Sequence, residues 1–132
     1  MGTGYRKSAG AVFNLHYHFV WCPKYRRPVL TGAIAERLGV LLSEKAATLA
    51  LGIEALEILP DHVHLFVSAP PTEAPQHLAN QFKGYTSHVL REEFPALKSR
   101  LPSLWSRSYY ASSAGHLSNE AIQRYIEAQK RS

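Results

Sequence analysis

The sequence predicts an α+β fold in which an antiparallel sheet is covered on one face by helices. Three observations carry that expectation. Residues 12–21 alternate, with Phe13, Leu15, Tyr17, Phe19 and Trp21 on one side and Asn14, His16, His18 and Val20 on the other, the pattern of a half-buried strand. Two stretches, 33–51 and 76–91, carry apolar residues at helical spacing. Between them lie two strand-like runs, "IEALEIL" and "HVHLFVS", joined by a tight turn at Pro60-Asp61. Adding a last extended segment, "LWSRSYYAS", and a terminal helix over 119–131 gives the order β-α-β-β-α-β-α. That order is the split βαβ arrangement of ferredoxin-like folds with one extra C-terminal helix.

Each element has its own signals. Pro23 and Pro28 end the first strand in a basic loop. In the first helix Ile34, Leu38, Leu41, Leu42 and Leu49 form the apolar stripe, and Gly52 is placed to terminate it. Prolines 70, 71 and 75 precede the second helix, whose expected buried stripe is Leu78, Phe82, Tyr85 and Val89, with Gln81, Lys83, His88 and Arg91 on its polar side. Residues 95–103 read as a proline-spaced connection. Residues 112–118, "SSAGHLS", have the small, polar composition of a joint, and Ser118 suits an N-cap with Glu120 in the first turn.

The 132 residues suit one domain over 1–132, with no repeat or linker. Cys22 is the only cysteine, which excludes an internal disulfide and thiol-rich zinc sites. No run of apolar residues is long enough to span a membrane and no secretory signal is present, so a cytoplasmic protein is expected. The net charge of +5 favours a polyanionic partner, nucleic acid first. The segment "PKYRRP" concentrates that charge in Lys24, Arg26 and Arg27.

The segment "PDHVHLFV" places His62 and His64 one residue apart on a strand. Residues i and i+2 share a face about 7 Å apart, so the two imidazoles stand side by side while Val63, Leu65 and Val67 face the core. In the split βαβ topology the first and third strands are antiparallel neighbours, which brings His16 and His18 onto the same face as the pair. In the terminal helix Tyr125 and Gln129 are four residues apart and share a helical face. Two imidazoles and an amide oxygen leave open positions on a hard divalent ion, and a tyrosine one turn away is a candidate nucleophile toward a bound phosphate. Taken singly, each of these residues has a plain structural reading, and Gln129 alone would be a surface residue.

Together, "YHFVWCPKYRRPVL", "LPDHVHLFV", "KGYTSHVL", "LWSRSYY" and "YIEAQ" make the chain resemble the HUH endonucleases, specifically the single-tyrosine transposases of short insertion sequences that move as single-stranded DNA. The resemblance covers nearly the whole chain. It implies that His62, His64 and Gln129 bind Mg²⁺ or Mn²⁺, and that Tyr125 attacks a DNA phosphate to give a 5′-phosphotyrosine and a free 3′-hydroxyl. It also implies a homodimer that recognises single-stranded DNA hairpins at element ends, with the tyrosine helix docked either on its own sheet or, in trans, on the partner's. Asp61, His16 and His18 are candidates for supporting the ligands, though a sheet-face role suits "HYH" better and a turn role suits Asp61. Lys24, Arg26, Arg27, Lys83, Arg91 and Arg107 are candidate phosphate contacts, with Tyr109 or Tyr110 as stacking partners for bases. His77, His88 and His116 are expected at the surface, and Cys22 is expected to be inert. The competing class is a non-catalytic single-stranded nucleic-acid-binding module or a domesticated, inactive transposase. Such a module needs neither a metal nor a helix-borne nucleophile.

Overall fold

A computed structural model describes residues 7–8, 11–12, 15–113 and 119–131. The expectations for Phe13, Asn14, His116, Ser118 and most of the 112–118 joint fall outside these residues. Two short strands, β1 (Lys7–Ser8) and β2 (Ala11–Val12), pair with each other ahead of the main sheet. The main sheet is built from β3 (Leu15–Trp21), β4 (Gly52–Leu59), β5 (His62–Ala69) and β6 (Tyr110–Ser113). Its order is β4-β5-β3-β6 and every neighbouring pair is antiparallel. The first and third strands of the split βαβ unit thus lie side by side at the centre, as the sequence predicts.

The alternation in β3 and β5 decides which face meets the helices. Phe19, Trp21, Val63, Leu65 and Val67 are fully buried on one face, against α1 (Gly32–Thr48) and α2 (Pro75–Glu93). Burial of each large apolar side chain here contributes about 1.5–3 kcal/mol. Trp21 meets Trp105 edge-on at 5.8 Å, and the Trp105 indole donates to Thr86 at 3.0 Å. In α2 the buried stripe is Leu78, Ala79, Phe82, Thr86 and Leu90. It is rotated from the expected one, because Tyr85 turns its hydroxyl outward to donate to Glu44 at 3.1 Å. The proline-spaced connection contains a short helix, α3 (Pro95–Arg100), which tucks Leu97 into the core.

The first helix ends differently from the expectation based on Gly52. It stops at Thr48, and Ala50 takes the left-handed conformation, φ 57°, that usually belongs to glycine. The N–H of Leu51 donates to Ala46 at 2.9 Å and that of Ala50 to Ala47 at 3.1 Å, so the last carbonyls are satisfied and Gly52 is released to open β4. A Cβ in this conformation costs about 1–2 kcal/mol. Ala50→Gly should therefore raise stability by about 1 kcal/mol, seen as a higher urea midpoint at unchanged slope. A lower midpoint would show that this helix end carries no strain.

The opposite sheet face receives the last helix, α4 (Asn119–Ala128), continued by a 3₁₀ turn at Gln129–Arg131. Ile126 is buried against Val20 and Cys22, and Tyr110 and Tyr125 pack around that contact. Val20 pairs with His64 across the β3–β5 ladder, so α4 rests on the face that carries the histidines.

Candidate active site

The alternation of β5 that buries Val63 and Leu65 turns His62 and His64 to the α4 side, with ring centroids 5.0 Å apart and planes at 71°. Each imidazole is anchored through Nδ1. Asp61, in the β4–β5 turn, accepts from His62 Nδ1 at 2.7 Å, and His64 Nδ1 lies 3.1 Å from Nε2 of His18 on β3. With Nδ1 engaged, Nε2 is the ring nitrogen left over on each imidazole, the arrangement usual for imidazoles that hold a metal. The pair thus fits a divalent ion. Among the described residues no group of three His, Cys, Asp or Glu forms a metal centre, so a third protein donor would have to be of another type, such as an amide oxygen.

Burial shapes the charges around the pair. It pushes His18 down to about 4, helped by the charge of His64, and holds His64 below the ordinary histidine value, helped by His62. Burial works to raise the Asp61 carboxyl, but hydrogen bonds from Arg26 and His62, with their charges, hold it below the usual carboxylate range. Arg26 Nε donates to Asp61 at 2.7 Å and its Nη1 to Glu127 on α4 at 2.9 Å. One guanidinium therefore joins the turn that anchors His62 to the helix that carries Tyr125. The backbone bends sharply to put it there: Tyr25 and Arg26 both have positive φ, 59° and 54°. Two such residues cost about 1–2 kcal/mol each, so the strained loop is held in place by its contacts.

Tyr125 and Gln129 share the expected helical face and meet at one residue, Ser108. The Tyr125 hydroxyl donates to the Ser108 carbonyl at 3.1 Å. Ser108 Oγ lies 3.1 Å from Gln129 Oε1 and 3.4 Å from the Tyr125 hydroxyl; with one proton to give, it favours the shorter contact. The Gln129 amide donates in turn to the Tyr125 carbonyl at 3.2 Å. Burial pushes the Tyr125 phenol up to about 12, so it is protonated at neutral pH.

The segment 106–108 is shaped by Lys83, whose Nζ donates to the carbonyls of Ser106, Arg107 and Ser108 at 2.8, 3.2 and 3.0 Å. Three donors meet three acceptors. Burial pushes this ammonium down to about 8, which still leaves it charged at neutral pH. These carbonyls face a lysine, and the extended segment expected over 104–112 becomes a strand only at Tyr110, apart from a single bridge between Trp105 and Pro23.

The sequence pattern described as "Transposase IS200 like" matches residues 11–129. The chain belongs to the IS200-like transposase family. It is 37% identical over 126 residues to the ISDra2 transposase TnpA of Deinococcus radiodurans, covering 94% of this chain and 90% of that protein. It is 31% identical over 119 residues to the transposase for insertion sequence element IS200 of Salmonella typhimurium, covering 89% and 78%. A crystal structure from Deinococcus radiodurans R1 superposes with a TM-score of 0.86 at 34% identity, covering 94% of this chain and 97% of that one. A REP-associated tyrosine transposase bound to a REP hairpin shares the fold, with a TM-score of 0.58 at 14% identity over 93% of this chain and 67% of that one.

The remaining sequence candidates fall into two groups in this IS200-like transposase. Asp61 and His18 touch the histidine pair, whereas His16 pairs with Glu54 at 2.8 Å toward the sheet edge. Of the basic residues, Arg26 and Lys83 are engaged as above, and Arg91 reaches the Leu101 carbonyl at 3.4 Å. Arg27 and Arg107 are exposed, and Lys24 is half-exposed with its ammonium 5.2 Å from the Tyr25 ring centroid. His77 and His88 are at the surface, beside Glu73 and Glu92. Cys22 is buried, and burial pushes its thiol up to about 12, which suppresses thiolate chemistry. Ser108 and Glu127 went unread in the sequence, because a serine in "SRSYY" and a glutamate between Tyr125 and Gln129 carry no spacing signal of their own. Among the described residues no helix is long and apolar enough to cross a membrane.

Proposed function

We propose that this transposase cuts and rejoins single-stranded DNA through Tyr125, with His62, His64 and Gln129 holding Mg²⁺ or Mn²⁺. The observation that carries the reading is the pair of imidazoles, each anchored through Nδ1, on the sheet face where the Tyr125 helix is packed. When bound, the divalent ion would supply positive charge to the phosphate oxygens as negative charge builds on them. The chain's own residues do the rest. Tyr125 gives up its bond to the Ser108 carbonyl and its oxygen attacks the phosphorus, releasing its proton to solvent. The Tyr125 O–P bond forms as the P–O3′ bond breaks, and the departing 3′ oxygen takes a proton. A 5′-phosphotyrosine then stores the bond energy, and attack by another 3′-hydroxyl rejoins the strands and restores the phenol.

The same reading includes a homodimer that binds DNA hairpins, in keeping with the hairpin held by the REP-associated relative. The exposed Arg27 and Arg107 are its candidate phosphate contacts. Incubation with single-stranded hairpin DNA and Mg²⁺ should yield a denaturant-stable protein–DNA adduct mapped to Tyr125, and none in EDTA. An adduct that forms equally well in EDTA would defeat the metal assignment. Its location on another residue would defeat the tyrosine assignment.

A further inference from the structure

His18 sits on β3 diagonally across from His64, 8% exposed, with its ring stacked on Phe66 at a centroid distance of 4.1 Å and an angle of 21°. Its Nε2 meets His64 Nδ1, while its own Nδ1 is buried with no hydrogen-bond partner among the described residues. A buried polar atom without a partner costs about 1–3 kcal/mol. At a position stacked on phenylalanine, stability alone would favour an apolar ring. A histidine here therefore asks for a role outside packing.

The contact can be made in two ways between neutral rings. If His18 donates, His64 carries its proton on Nε2 and has no lone pair there for a ligand. If His64 donates, its proton is on Nδ1 and its Nε2 is free to bind a cation. Asp61 imposes the second arrangement on His62, because a carboxylate can only accept. We propose that His18 does the same for His64: its Nε2 accepts the His64 Nδ1–H, fixing the tautomer and rotation that present His64 Nε2 to the metal. His18 is thus a positioning residue, and its unpaired Nδ1 is the stability given up for it. The inference rests on the metal reading above and adds to it which residue prepares His64.

The shallow cleft of about 210 Å³ beside the pair is lined by His18, Ala55, Leu56, Glu57, His64 and Phe66. Within that lining His18 alone makes a described hydrogen bond to His64 Nδ1, so the tautomer is decided by His18.

The test uses nitrogen-15 spectra of the metal-free protein and Mn²⁺ titration followed by electron paramagnetic resonance. The unsubstituted protein should show His64 protonated on Nδ1. His18→Phe should fold with an unchanged or higher melting temperature, lose the single His64 tautomer, and bind Mn²⁺ about 10- to 100-fold more weakly. His18→Gln, whose amide oxygen can accept the same proton, should keep the tautomer and most of the affinity. His64 protonated on Nε2 in the unsubstituted protein, or full Mn²⁺ affinity in His18→Phe, overturns the proposal. No Mn²⁺ binding by the unsubstituted protein instead overturns the metal reading on which it rests.

Discussion

Tyr125→Phe should reduce the covalent DNA adduct and strand cleavage to background while the protein still folds and binds DNA. The substitution removes one oxygen. The ring remains against Tyr110, 6.1 Å between centroids, and near the buried Ile126 contact. The lost hydrogen bond to the Ser108 carbonyl costs about 1 kcal/mol, too little to unfold the chain. Activity and stability should therefore separate: the melting temperature is expected to move by only a few degrees while the chemistry stops. Gel electrophoresis under denaturing conditions with labelled hairpin DNA reads the adduct, and circular dichroism reads the fold. Persistence of an adduct in this variant would assign the nucleophile elsewhere.

His64→Ala has an effect of similar size with a different signature. It removes one of two imidazoles and leaves His18 without its partner, yet no core side chain is lost, because His64 lies on the α4 side of β5. Cleavage should fall to background at ordinary Mg²⁺ while hairpin binding persists, since binding depends on cationic and backbone contacts elsewhere. Retention of full cleavage would remove His64 from the ligand set. Mixing this variant with Tyr125→Phe tests where the helix docks. In this structure α4 rests on its own sheet through Ile126, Val20 and Cys22. If the helix is exchanged between partners during cleavage, a mixed dimer has one site with intact histidines and an intact tyrosine. Activity should then return, with the adduct on the His64→Ala chain. No return from verified mixed dimers would place the cleavage step within one chain.

The sequence was most informative where alternation ties one face to the core. Burial of Phe19, Trp21, Val63 and Leu65 leaves His18, His62 and His64 no choice of face, and a slip of one residue would reverse both strands. Helix faces were less sharply marked. At 100° per residue, Tyr85 and Thr86 both border the apolar stripe of α2, and only the Trp105 indole, distant in sequence, selects Thr86. Lys83 reads as a solvated charge because its acceptors are backbone carbonyls of residues 106–108, which no side-chain pattern announces. The end of α1 was misplaced for a related reason: Gly52 suits a left-handed helix end, but the hydrogen bonds of Ala50 and Leu51 use Ala50 instead. Tyr125 and Gln129 were legible as a pair from their spacing. Their shared contact with Ser108 depends on tertiary structure alone.

The burial of Cys22 gives the protein an intrinsic reporter. It is the only thiol in the sequence, and it lies fully covered in the small cluster made with Val20 and Ile126. A thiol reagent reaches this sulfur only when that cluster opens, so its labelling rate measures how often the tyrosine helix lifts from the sheet. Because the modification is covalent and confined to one position, mass spectrometry can follow that opening in unsubstituted protein, with and without DNA. The opening of the cluster beneath Tyr125 can thus be followed without introducing a new cysteine.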